Sequence, residues 1–64
     1  MKDIENTRKM ENGVALYYQE GRDRRMESFS YSELIDMQIN ALDLLTDSKN
    51  YAIDVAAHKV VMKK

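Results

Sequence analysis

From Ser30 to Asp47 the chain alternates apolar and polar positions at the three-and-four spacing of a helix. Leu34, Ile35, Met37, Ile39, Ala41, Leu42, Leu44 and Leu45 stand against Glu33, Asp36, Asn40, Asp43 and Asp47. Ser30 and Glu33 have the spacing of a capping box, in which each side chain takes up an orphan backbone N–H of the other residue. Phe29 and Leu34 stand at the two positions of a hydrophobic staple. Together these signals predict a helix from Tyr31 to Thr46, with Ser32 a competing cap that would move the start by two residues.

On a helical wheel the apolar positions cover an arc of about 220°, whereas a surface helix needs a stripe of a little over about 100°. One flank, Met37, Ala41 and Leu44, is more than a small sheet is expected to cover. Either the N-terminal segment folds over it or another chain does, and the second reading is preferred for so short a protein. The polar sector carries Glu33, Asp36, Asn40, Asp43 and Asp47 as a stripe roughly 21 Å long. No Lys or Arg lies between Tyr31 and Ser48 to offset it. Its plain reading is a solvated face; its sharper reading is a docking strip for a basic surface.

Val14 to Glu20 and Arg24 to Tyr31 read as two strands around the turn-like Glu20-Gly21-Arg22-Asp23, a β-hairpin. A four-residue loop puts Val14, Leu16 and Tyr18 on one face with Phe29; a three-residue loop pairs them with Met26, since a slip of one residue exchanges the faces. Asn12-Gly13 has type I′ turn chemistry and implies a short strand over Thr7–Glu11. The alternatives are a frayed arm or a short helix ended by Gly13, so residues 1–12 are expected as a mobile arm or an edge strand of a single domain spanning 1–64. After an Asp47–Asn50 loop, Tyr51, Ile53 and Val55 alternate and Val60 and Val61 follow, which favours strands around a turn at Ala56–Lys59. A helix over 51–62 competes. Lys63 and Lys64 suggest a frayed, charged end. The expected fold is α+β: a β-hairpin, one amphipathic helix and one or two C-terminal strands in a small antiparallel sheet packed on the helix. The alternative is a small all-α bundle.

Composition narrows the function. Sixty-four residues make a single domain that buries only about 60% of its unfolded surface, so a lone protomer is marginal. Without Cys it has neither disulfides nor a thiolate zinc site, which leaves good packing or self-association and suits a reducing, cytoplasmic location. The N-terminus lacks the apolar region of a secretory signal, and no apolar run approaches the roughly 20 residues that span a bilayer. Lys plus Arg is 10 and Asp plus Glu is 11, a net charge of -1. That argues against the strong basic field of a nonspecific nucleic-acid binder.

Candidate chemistry is sparse. His58 is the only imidazole, and no phosphate-binding glycine loop, dinucleotide fingerprint or calcium-loop pattern occurs. The acidic stripe runs along a rod, so its carboxylates do not converge on a cation. No catalytic residue, cofactor or metal is expected. The expected function is a non-catalytic protein-interaction module, a homodimer that binds or inhibits a larger protein. Its contact residues are Glu33, Asp36, Met37, Ala41, Asp43, Leu44 and Asp47. Arg22, Arg24 and Arg25 of one copy are expected to face Asp36, Asp43 and Asp47 of the other. The alternative is nucleic-acid binding by Arg22, Arg24 and Arg25 with Tyr17 and Tyr18 as stacking surfaces. In size and composition the chain resembles the small accessory regulators that phages and mobile elements encode, which implies a binder or inhibitor; no membrane partner is expected, since no apolar run is long enough to span a bilayer.

Overall fold

The computed structural model describes residues 1–63 and is mixed α+β, mostly β, with two three-stranded antiparallel sheets and two short helices. Its strands are β1 (Lys2–Asp3), β2 (Asn6–Lys9), β3 (Gly13–Glu20), β4 (Asp23–Ser30), β5 (Tyr51–Asp54) and β6 (Lys59–Met62); its helices are α1 (Tyr31–Asp36) and α2 (Ala41–Thr46). One sheet has the order β2-β3-β4 and the other β1-β5-β6. Only Ile4 and Glu5 separate β1 from β2, so the first ten residues carry the chain from one sheet to the other. The N–H of Glu5 donates to the carbonyl of Tyr17 at 2.8 Å, and Ile4 is buried at the crossing.

The central hairpin takes the register that places Val14 opposite Phe29, Leu16 opposite Glu27 and Tyr18 opposite Arg25. This is the face assignment of the four-residue loop, with pairing continued to Glu20 and Asp23 so that only Gly21 and Arg22 remain in the turn. Gly21, at φ 61, supplies the positive φ that a two-residue hairpin turn demands at its first central position. Val14, Leu16, Tyr18 and Phe29 all point inward and meet Tyr51, Ile53 and Val60 of the second sheet. The opposite face of β2-β3-β4 carries Asn6, Tyr17 and Met26 in one row, Arg8, Ala15 and Ser28 in the next.

Gly13 does not form the expected type I′ turn. It begins β3, and the turn is Glu11–Asn12, closed by the N–H of Met10 donating to the carbonyl of Gly13 at 2.8 Å. A Cβ on Gly13 would lie 1.9 Å from the carbonyl oxygen of Phe29, so this glycine is required by the close approach of β4.

The largest difference from the sequence expectation is in the helical segment. The capping box forms: the hydroxyl of Ser30 accepts from the N–H of Glu33 at 3.1 Å, and the Glu33 carboxylate accepts from the N–H of Ser30 at 2.9 Å. The helix then stops after six residues. Gln38 adopts φ 61; its N–H donates to the carbonyl of Ile35 at 2.9 Å and that of Ile39 to the carbonyl of Leu34 at 2.8 Å. This pair of bonds is a Schellman stop, completed by burial of Leu34 and Ile39 in the common core. Asn40 restarts the chain as the cap of α2, its side-chain oxygen accepting from the N–H of Asp43 at 3.0 Å. Two short helices with independent rotational settings thus replace one rod with an over-wide apolar arc. Leu34 from α1 and Leu44 from α2 enter the core, each burial contributing about 1.5–3 kcal/mol. The Thr7 hydroxyl donates to the carbonyl of Leu45 at 3.3 Å and ties α2 to β2.

Tyr51–Asp54 and Lys59–Met62 form strands, as their alternation indicates, around a turn over 55–58 that begins one residue earlier than expected and leaves Lys59 in the strand; the helical alternative is not what the chain adopts. A 3-10 turn over Ser48–Asn50 precedes them. Lys63 is tied down: its N–H donates to the carbonyl of Asn50 at 2.9 Å and its Nζ lies 2.9 Å from Asp3 Oδ1. Lys64 lies outside the described residues. Among the described residues no helix is long and apolar enough to cross a membrane.

Gln38 and Gly13 respond oppositely to substitution. Gln38→Gly removes the strain of a left-handed non-glycine residue and is expected to raise stability by about 1 kcal/mol in urea unfolding. Gly13→Ala forces β3 and β4 apart and is expected to lower it by more than about 2 kcal/mol in the same measurement.

Candidate functional site

Two of the four acidic residues of the helical segment, Glu33 and Asp43, have side-chain partners. Glu33 completes the cap of α1, and its second carboxylate oxygen lies 3.5 Å from Nε2 of His58. The Ser30 backbone N–H, aided by the Ser30 hydroxyl and the charge of His58, holds the Glu33 carboxyl below the usual carboxylate range. Asp43 accepts the hydroxyl of Tyr51, whose ring is buried in the core. Asp47 ends α2, its N–H donating to the carbonyl of Asp43 at 2.7 Å. Asp36, the last residue of α1, is exposed with no cation within ion-pair distance among the described residues. The break at Gln38 divides the stripe into two separately oriented halves.

The apolar flank is corrected more sharply. Leu44 is 0% exposed, and Met37 and Ala41 pack against the same core. The sulfur of Met37 accepts the N–H of Val60 at 3.4 Å, on the outer edge of β6. Thus the flank expected to need a partner is covered by the chain's own strands. The residues left in water are Ile35 at 72% and Leu42 at 69% exposure, one on each helix. At 100° per residue Leu34, Met37, Ala41 and Leu44 fall within one arc of about 80°, and this arc, rather than the side of Ile35 and Leu42, is the one the strands cover.

The arginine-rich hairpin is divided by strand alternation. Tyr18 is 4% exposed and lies inside the core, so its ring is not available for stacking. Arg25 shares its side of the sheet and pairs with Asp23 at 3.7 Å. Arg22 occupies the turn. Arg24 points to the opposite face, with its guanidinium 5.5 Å from the centre of the Tyr17 ring. On that face Arg8, unforeseen from the sequence, lines the same shallow hollow as Asn6, Tyr17 and Arg24. The signal that would have located it is the Thr7–Glu11 strand reading combined with pairing to β3, which sets Arg8 opposite Ala15.

His58 sits at the end of the Val55–His58 turn at φ 52 and closes the second seam between the sheets. Its ring stacks on Phe29 with centroids 4.3 Å apart, and its Nδ1 lies 2.8 Å from Oε1 of Glu27. Glu27 and Glu33 approach opposite ring nitrogens, so the three groups do not converge on one point. Among the described residues no group of three His, Asp or Glu side chains could hold a metal ion.

The Tyr51–Asp43 contact makes stability sensitive to alkali. Hydrogen bonding to Asp43, then burial and the charges of Asp43 and Asp47, push the phenol up to about 12. Because an unfolded tyrosine titrates near about 10, this contribution is complete below about pH 10 and is lost as pH rises through about 12. Tyr51→Phe is expected to cost about 1 kcal/mol at neutral pH and to flatten the alkaline fall in stability, read from urea midpoints across that range.

Searches of known protein families, of curated proteins and of solved structures find nothing that matches this chain.

Proposed function

We propose that this protein is a non-catalytic protein-interaction module whose contact surface is the solvent side of its two helices, and that a second copy of the chain is its occupant. The observation that carries the reading is the exposure of Ile35 and Leu42, in a chain whose other leucines and isoleucines are buried or half-buried. Each side chain would gain about 1.5–3 kcal/mol by full burial, enough for a symmetric pair of patches to supply most of a modest affinity. Met37, Ala41 and Leu44 support the surface from beneath.

Charge supports the same pairing. Asp36 and Asp47 border this surface without a cation, while Arg22 at the hairpin turn has no carboxylate within ion-pair distance among the described residues. A two-fold arrangement that brings Arg22 of one copy to Asp36 or Asp47 of the other forms each contact twice. Such rim pairs set orientation and contribute little affinity. The paired copies then present the remaining surface to a larger protein.

Sedimentation equilibrium tests the reading. The expected result is a species of twice the chain's 7.5 kDa that reverts to 7.5 kDa in Ile35→Glu and in Leu42→Glu, with circular dichroism unchanged because neither side chain is in the core. A single 7.5 kDa species for the unaltered protein at its highest soluble concentration overturns the pairing and the role given to Ile35 and Leu42.

A further inference from the structure

The outer face of β2-β3-β4 lies apart from the helical surface and differs from it in charge. Its strand positions carry Arg8 and Arg24 and no Asp or Glu. Among the described residues neither arginine has a carboxylate within ion-pair distance, whereas Lys2 pairs with Glu20, Arg25 with Asp23 and Lys63 with Asp3. In a chain with one more acid than base, two unneutralised guanidinium groups on one face are a local excess. Between them lies Tyr17, half-exposed, in the same hollow as both arginines. Strand spacing separates the two arginine backbones by roughly 17 Å along the diagonal of the sheet, with Tyr17 near its middle.

Across the same face, Ala15 is buried beneath a second shallow depression bounded by Arg8, Met10, Tyr17 and Met26. Glu11 stands on its far rim and is the one acid there. The surface therefore combines an aromatic ring with the Arg24 guanidinium over it, apolar thioether flanks and a second guanidinium, Arg8; a base that stacks on the ring takes the place of Arg24, which is then free to reach the phosphate backbone. A planar ring and backbone-reaching guanidinium groups fit a ligand that is both anionic along its backbone and flat in its side groups. An acidic peptide would use the arginines and leave the ring idle.

We infer that the outer face of β2-β3-β4 is a binding site for single-stranded nucleic acid, with one base stacked on Tyr17 and the flanking phosphates held by Arg8 and Arg24. The site spans few nucleotides and reads no sequence, since stacking and phosphate contacts are tolerant of base identity. Its assignment does not depend on the helical surface, and the two faces are separable by mutation.

Fluorescence anisotropy with a labelled deoxythymidine oligonucleotide of about 12 nucleotides tests this directly. Binding is expected at low salt and weakens as salt rises. Tyr17→Ala is expected to weaken it by about 5- to 150-fold, the range for loss of one stacked base. Tyr17→Leu, which keeps the cover over Ala15, should lose binding equally if the aromatic face is what matters. The double variant Arg8→Ala, Arg24→Ala should lower the slope of log affinity against log salt by about 1.4, for two single-strand phosphate contacts. Arg25→Ala, on the other face and already paired, should bind within about twofold of the unaltered protein. Unchanged anisotropy at low salt overturns the inference. So does wild-type affinity in the folded Tyr17→Leu and double-arginine variants. Displacement of the oligonucleotide by polyglutamate as effectively as by unlabelled oligonucleotide would overturn it in favour of an acidic peptide.

Discussion

The left-handed turn at Gln38 and the two hydrogen bonds that close it decide how this chain distributes its apolar residues. The bond from Ile39 to the carbonyl of Leu34 ends α1 and sends Ile39 into the core directly after it. A residue with a Cβ in this conformation costs about 1–2 kcal/mol, which the burial of Leu34, Ile39 and Leu44 together exceeds. Had the helix continued, one rotational setting would have had to serve Leu34, Ile39 and Leu44 at once. Leu34 and Leu44 are compatible with one setting, but Ile39 would point about 140° away from each, so the break is what admits Ile39 to the core while Ile35 and Leu42 stay in water.

Around that segment the two sheets are joined at two seams of different character. At one, the chain passes from β1 to β2 through buried Ile4, and the join is covalent. At the other, His58 bridges the β5–β6 turn to β4 and α1 through a stack on Phe29 and contacts with Glu27 and Glu33. Glu27 projects from a core-facing strand position, where an acid is unexpected. Its contact with His58 accounts for it. The single histidine has a structural role here, closing a shell whose interior is otherwise apolar.

The exterior is divided by the same alternation that builds the interior. The hairpin register that puts Tyr18 in the core turns Tyr17 outward, and with it Arg24 and Arg8. The acids of the helical segment lie on the other elements, where Glu33 and Asp43 are committed to Ser30, His58 and Tyr51. What was expected to be one continuous acidic docking strip is therefore mainly capping and core-edge chemistry. The surfaces left for partners are the aliphatic side chains of α1 and α2 and the arginine–tyrosine face of the sheet.

Several features were legible in the sequence because they act between near neighbours. Ser30 and Glu33 started the helix where their spacing indicated, and the alternation at Tyr51 and Ile53 marked a strand. Tertiary structure alone decided the helix length, the choice between Phe29 and Met26 in the hairpin register, the packing of Met37, Ala41 and Leu44 against the core, the placement of Arg8 beside Tyr17 and the role of Gly13. The physical reason is one of range. A cap or a two-residue alternation is satisfied by the adjacent backbone, whereas the side of a helix that is buried depends on which strands arrive to cover it, and those come from the far ends of the chain.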